Sequence, residues 1–432
     1  MYRTSILNPK WLVIGLGVKR WILAIIVGIG LIGYGFAHVM LRIEATMFTN
    51  PRTWTEIIVL CVSGVILICI ALLKLSRNLL APYRMRQHGH IVDVVYAHSR
   101  RHRGIRVVAI GGGSGLPSVL RGLKPTTRNI TAVVTVADDG GSSGRLRRDI
   151  GMIPPGDLRN NIAALADDEG LMTRLFQYRF DQGDLTGHSF GNLFIAALAG
   201  LSGGIEAALP ELERILNIQG RVLPATLEDV NLIARVRMVG KTQTIQIRGE
   251  SRISQFGGHI EQVSLSPPDV QAYGASVQAI EQADMIVIGP GSLYTSIIPN
   301  LLVPGIAEAL RNSNGVKVYV VNVATQPGET ENYSVADHVM ALETHIGRGV
   351  FQIVLANNAT PRENAGVNTH YVSATPPEHE ISQRYQIMYA DLTDPQRPWR
   401  HDPGKLALAL LRLRGIEGDG IDSVTDPVFS SA

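Results

Sequence analysis

Ile105–Leu120 reads IRVVAIGGGSGLPSVL, and the order of its parts decides the fold. A run rich in Val and Ile ends in three consecutive glycines, and a helix-compatible segment follows. Strand, sharp turn and helix in that order make the first half of a βαβ unit. Glycine lets the backbone come close to a ligand, and the turn and helix start offer free N–H groups to an anion. Gly111, Gly112, Gly113, Ser114 and Gly115 are therefore candidate phosphate-binding residues, with a simple tight turn as the alternative. The motif departs from the dinucleotide fingerprint, because Leu116 stands where a third glycine would complete G-x-G-x-x-G.

Further strands are expected at 105–110, 130–137, 284–289, 316–323 and 351–357, each a continuous apolar run of the kind buried on both faces of a parallel sheet. Helical stretches such as NLFIAALAGL and GIAEALRNS fall between them. The alternation predicts a Rossmann-like, doubly wound α/β domain over 104–414. One section breaks the rhythm: from Gly220 to Ser266 polar and apolar residues alternate, as in TQTIQIRGESRI, which predicts a small antiparallel insertion. The polar tail 415–432 is expected to be disordered.

Three clusters carry the chemistry. In VTVADDGGSSGRLRRDIGMIPPGDLRNN, Asp138 and Asp139 end the second strand about 23 residues past Gly115. That offset suits a carboxylate on a ribose hydroxyl; adjacent carboxylates also suit Mg²⁺, and a capped turn is the third reading. Ser142 and Ser143 offer hydroxyls, and Arg145, Arg147 and Arg148 match phosphate oxygens. Asp157 reads as a helix N-cap, with Arg159, Asn160 and Asn161 in the first turn. In GHSFGN, His188 suits acid/base chemistry or a sugar oxygen, or serves the fold alone, and Asn192 suits a base, a sugar or its own helix. In GPGSLYTSIIPNLL, the strand, glycine turn and helix recur, presenting Gly291, Ser292, Tyr294, Thr295 and Ser296. A second glycine loop at a strand end is what a ligand needs on the far side of the crevice where strand order reverses. NVATQPGET, Asn322 to Thr330, again follows a strand.

The N-terminal quarter differs. The mean hydropathy of the chain is +0.13, and the excess sits in WILAIIVGIGLIGYGFAHVML and IIVLCVSGVILICIALL, neither with a charged residue. Each approaches the roughly 20 residues that cross a bilayer. They predict a transmembrane hairpin over 21–75, with spans at 21–41 and 57–73. Lys and Arg flank the hairpin outside both spans, whereas the connecting loop is balanced. Both termini and the main domain are therefore expected in the cytoplasm, at the inner membrane, with Trp54 an interfacial anchor on the other side. The segment 76–103 reads as a basic juxtamembrane linker whose run RRHRGIR lies against anionic headgroups or in solvent. Through Arg106 there are 14 basic and 3 acidic residues, so with +3 overall the rest of the chain is net acidic, which argues against a nucleic-acid partner. Cys61 and Cys69 are the only cysteines and both lie in the second span, which excludes a disulfide framework and thiol catalysis.

The stretches AIGGGSGLPSVLRGLK, TVADDGGSSGRLRRDIGMIPPGDLRNN, LTGHSFGN, GPGSLYTSIIPNLLV and NVATQPGET together resemble the gluconeogenesis factor family, often called YvcK, which is related to the 2-phospho-L-lactate transferase (CofD) family. The resemblance implies a Rossmann-like fold, UDP-N-acetylglucosamine as ligand, a protein partner in cell-wall precursor synthesis, and a part in cell shape under gluconeogenic growth. A homo-oligomer is the expected assembly. By motif, Gly111 to Gly115 would cradle phosphate, Asp138 and Asp139 would contact sugar or metal, and Tyr294 would contact the nucleotide sugar. If the protein is instead a transferase, Asp138, Asp139 and His188 are its candidate catalytic residues, and Mg²⁺ on Asp138 and Asp139 its cofactor. Family members are generally soluble, so the two spans depart from the pattern.

Overall fold

The computed structural model describes residues 18–44, 51–84 and 104–413, apart from 168, 239, 241, 242 and 363–368. Most of the N-terminal segment 1–20, the basic run at Arg100 and the tail 415–432 lie outside the described residues. The chain divides into two units, Met1–His98 and Ser99–Ala432.

The first unit holds helices α1 (Val18–Glu44) and α2 (Pro51–Arg84), packed along one another. Within them Arg20–Met40 and Trp54–Leu75 are long and apolar enough to cross a membrane. The helices meet where side chains vanish: a Cβ on Gly64 would lie 2.8 Å from Gly28 O. Close backbone approach at small residues is how helices pair when lipid removes the hydrophobic drive. Leu23, Val59 and Leu73 point outward, 61–65% exposed. The expected linker from 76 begins as helix, since α2 continues to Arg84; Leu, Ala and Arg there are good helix formers, and charge alone does not end a helix.

The second unit opens with β1 (Val107–Gly111), α3 (Leu116–Leu123) and β2 (Ile130–Val134). A helical run follows: α4 (Gly141–Ile150), α5 (Gly156–Leu165), α6 (Glu169–Gln177), α7 (Phe190–Ser202) and α8 (Ile205–Leu216), leading to β3 (Arg221–Pro224). Next come β4 (Asn231–Arg237), β5 (Thr244–Arg248), α9 (Glu250–Phe256) and β6 (His259–Ser266). The chain returns through α10 (Gly274–Glu281) to β7 (Met285–Ile288), turns through Leu293–Ile297 into α11 (Ile298–Leu301), and continues with α12 (Pro304–Asn312) and β8 (Val316–Val320). It ends with α13 (Val335–Ile346), β9 (Ile353–Asn357), α14 (Glu380–Arg384), β10 (Gln386–Ala390) and α15 (Pro403–Leu413).

Seven strands pair in the order β10-β9-β8-β7-β1-β2-β3, all parallel, and β5-β4-β6 form a separate antiparallel sheet. β1, β2 and β7 are buried along their whole length, as their unbroken apolar runs require. All five expected strands form. The reading missed two edge strands, β3 and β10, each of which begins at an exposed residue and lacks a buried apolar run along its whole length. The antiparallel insertion consequently starts at Asn231 rather than Gly220, because Arg221–Pro224 adds to the main sheet beside β2. The second strand stops at Val134, so Asp138 and Asp139 stand on a connection beyond it. The decisive feature is the reversal: β1 and β7 are neighbours, with β2 and β3 on one side and β8 to β10 on the other. The C-terminal ends of β1 and β7 carry the two glycine loops, which places a crevice there.

Candidate functional site

The two loops touch through backbone. A Cβ on Gly115 would fall 2.5 Å from Pro290 O and 2.9 Å from Gly291 Cα, so only glycine permits this approach. Asn300 ties the loops together, its Nδ2 donating to Gly111 O at 2.9 Å and Ser296 O at 2.7 Å. Asn322 pairs with Gly291 in both directions, accepting from its N–H at 3.1 Å and donating to its O at 2.8 Å. Ser292 Oγ donates to Gln326 at 2.8 Å. Above the loops lies a cavity of about 310 Å³, lined by Ser114, Gly115, Gly291 and Ser292, by 322–327 after β8, and by Thr369 and 399–401.

On the other side of β1 the structure gathers carboxylates. Asp157 is not the cap of α5, a place taken by Pro155. Its side chain reaches back and accepts from Gly113 N at 2.8 Å, because a first-turn side chain leans toward the helix N-terminus, here under the β1 loop. Asp138 accepts from Gly140 N at 2.9 Å, while Asp139 turns away and accepts from Ser251 N of α9, also at 2.9 Å. Asp139 and Asp157 both share Asp138's surroundings: the charge of Asp139 acts on Asp138, and that of Asp138 on Asp157. Burial first, then the charge of Asp138, pushes Asp157 up to about 7. Burial also raises Asp138, against the hydrogen bonds from Gly140 and Ser143. Glu250, brought in by α9, is pushed up to about 8 by burial and then by Asp138, Glu329, Asp139 and Asp157. Glu329 is buried, which raises its carboxyl, and it accepts from Thr295 Oγ1 at 2.9 Å.

The remaining predicted residues fall into three groups. Ser142, Ser143, His188 and Asn192 come together: Ser142 Oγ lies 3.1 Å from His188 Nδ1, and Asn192 Nδ2 donates to Ser143 Oγ at 3.3 Å. Burial lowers the His188 imidazole, with Arg145 adding to the effect. Three of the arginines make contacts within the fold, while Arg148 is exposed. Arg145 donates to Thr186 O, Arg147 is buried against Val230 O and Asp229, and Arg159 donates to Ser189 Oγ, the cap of α7. Asn161 donates to Asp157 O at 2.8 Å and so steadies that carboxylate's backbone. Tyr294 faces the interior, its hydroxyl 2.8 Å from Tyr333 Oη and its ring against His345, and it does not line the cavity. The apolar residues around it in the Leu293–Ile297 turn draw the ring into the core.

Sequence reasoning missed Glu250, Glu329, Trp399 and Arg400. Glu329 belongs to the NVATQPGET motif, whose position after a strand was its only signal; Trp399 and Arg400 sit in no glycine or hydroxyl cluster. Mg²⁺ favours one or two carboxylates with phosphate oxygens and water. Asp138 and Asp157 can supply that pair, while no group of three His, Cys, Asp or Glu among the described residues could hold a metal by itself. The donor set fits a metal that arrives with a phosphate.

The model of the 2-phospho-L-lactate transferase CofD family matches residues 107–393. The gluconeogenesis factor of Bacillus subtilis is 43% identical over 71% of this chain and 98% of its own. A Nostoc sp. relative is 42% identical over 94% of this chain and 92% of its own. The crystal structure of protein BH3568 from Bacillus halodurans superposes with a TM-score of 0.67 at 40% identity, over 71% of this chain and 99% of that one. A glycine-loop crevice at the strand reversal, and identity of this extent on both sides of it, lead to one conclusion: the chain belongs to the gluconeogenesis factor family and carries a CofD-like domain.

Proposed function

We propose that this protein is a membrane-tethered regulator that binds UDP-N-acetylglucosamine in the crevice between the β1 and β7 loops and passes its occupancy to an enzyme of cell-wall precursor synthesis. The carrying observation is the cavity at the strand reversal, floored by backbone and lined by hydroxyl and amide side chains together with Trp399, Arg400 and His401. Such a lining recognises a polar, hydroxyl-rich ligand, and among the described residues its one imidazole, His401, is engaged with Val321 O rather than with a hydroxyl. Calorimetric titration of the full chain in nanodiscs with UDP-N-acetylglucosamine tests the reading. The expected result is saturable binding with the ligand recovered intact; absence of binding defeats the proposal.

The helices α1 and α2 support the tether. The expected result is that the full chain stays in the membrane fraction after alkaline washing, and that a protease added to inside-out vesicles digests the domain but spares the connection from Arg42 to Glu56. Cleavage within that connection would invert the topology.

A second reading, a Mg²⁺-dependent phosphotransferase, is favoured by the carboxylates around Asp138 and by the family's transferase members. On this reading Asp138 and Asp157 would hold the metal, which neutralises charge on a transferring phosphate. Release of a nucleotide monophosphate that requires Mg²⁺ and is lost in Asp138→Asn would decide for it.

A further inference from the structure

We infer that Trp399 is the platform on which the base of the nucleotide stacks. The ligand then runs from a base at the end of β8 to phosphates at the β1 loop, and its ribose does not reach Asp138 and Asp139. The inference rests on the nucleotide-sugar reading above and adds its orientation.

The cavity decides the direction. It opens over β7 and β8, where 322–327 leave the sheet, and the Asp138–Asp139 connection after β2 contributes nothing to its lining. β8 and β2 stand three strand spacings apart, about 14 Å across the sheet. A nucleotide seated in the cavity with phosphates near Ser114 and Gly115 therefore extends away from the acidic side.

The chemistry of the far end selects the base. Apart from the His401 imidazole, whose Nε2 donates to Val321 O at 3.1 Å, Trp399 supplies the only aromatic face in the lining among the described residues. It is 40% exposed, although a tryptophan of a folded domain ordinarily buries most of its large ring. The turn that presents it is cross-linked: Asp394 Oδ1 accepts from Gln396 N and Arg397 N, both at 2.8 Å, Asp394 N donates to Arg400 O, and Asp402 N donates to Leu392 O. An indole presented from a held turn is a stacking surface for which the backbone's ordering cost is already met. Thr369, in the same lining, has a buried hydroxyl without a hydrogen-bond partner, a group able to read the edge of a base.

The chain has four tryptophans, and Trp11, Trp21 and Trp54 all precede the domain. In the full chain with those three changed to phenylalanine, reconstituted in nanodiscs, emission reports Trp399 alone. The expected result is that UDP and UDP-N-acetylglucosamine quench this emission to the same extent and N-acetylglucosamine 1-phosphate does not. Trp399→Ala should weaken UDP binding by about tenfold or more, the scale of base–aromatic stacking. Trp399→Phe, which keeps an aromatic face and the fold, should stay within a few-fold of the parent. Unchanged UDP affinity in Trp399→Ala, or quenching by the sugar phosphate with none by UDP, overturns the inference while leaving the ligand assignment in place. Failure of the parent chain to bind either nucleotide overturns the ligand assignment and this orientation with it.

Discussion

Gly115→Val should abolish nucleotide-sugar binding, by at least 100-fold, and lower the melting temperature of the domain. The new side chain would meet backbone on three sides: Pro290 O at 2.5 Å, Pro290 C at 2.8 Å and Gly291 Cα at 2.9 Å from Cβ alone. A flexible side chain could swing away from such a contact, but a backbone loop held by Asn300 and Asn322 cannot yield without moving the ends of β1 and β7 apart. Overpacking of this kind costs about 1–3 kcal/mol in ordinary cores, and here the displaced atoms are the floor of the cavity itself. Binding should therefore fall by more than stability does. Gly274→Ala on α10, where a Cβ meets nothing within 4 Å, is the matching control and should leave both unchanged. Calorimetric titration beside a thermal melt reads the pair, and wild-type affinity in Gly115→Val would disprove the loop contact.

Raising the pH from 6.5 to 8.5 should destabilise the domain, and Glu250→Gln should make that loss smaller. Asp157 and Glu250 have carboxyls raised in the fold to about 7 and about 8, above the usual carboxylate range. The folded state therefore holds protons that the unfolded chain gives up. The stability this contributes is complete below about pH 4 and is lost as the pH climbs through the folded values. Buried His338 and His401, lowered to about 4, act in the opposite sense mainly below about pH 6.5, so the acids dominate the upper window. Across it the two carboxyls should cost roughly 2–3 kcal/mol, or several degrees in melting temperature. Scanning calorimetry at the two pH values checks the slope; a Glu250→Gln profile as steep as the parent's would show that the charge lies elsewhere. Mg²⁺ with a phosphate ligand should also flatten the profile, since a cation beside Asp138 and Asp157 favours their ionised forms.

Glu250 shows what a linear reading can and cannot reach. It opens α9 in a segment whose alternation correctly marked an antiparallel insertion, and nothing nearby suggests a ligand. Ser251 N on Asp139 and Ser254 Oγ on Glu329 dock that helix over the carboxylates, contacts that span 112 and 75 residues of chain. Asp157 is the complementary case. Its place beside PPGD read as a local cap, but the acceptor position was taken up by Gly113 N, 44 residues away. Tyr294 lies in the right loop, yet its ring belongs to the interior, where its hydroxyl meets Tyr333 Oη and its ring packs against His345.

By itself the sequence determined the parallel α/β domain, the two glycine loops at its strand ends, the antiparallel insertion and the two apolar N-terminal helices. Each rests on the period and length of an apolar run or on glycine at a turn, which neighbouring residues dictate. Only the tertiary structure decided that Asp138 shares its surroundings with Asp157 and Glu250 as well as with Asp139, that Arg145, Arg147 and Arg159 brace the fold, and that the cavity opens toward Trp399. Desolvation, shared charge and the shape of a crevice depend on which distant segments the sheet order brings together, and no local pattern encodes that order.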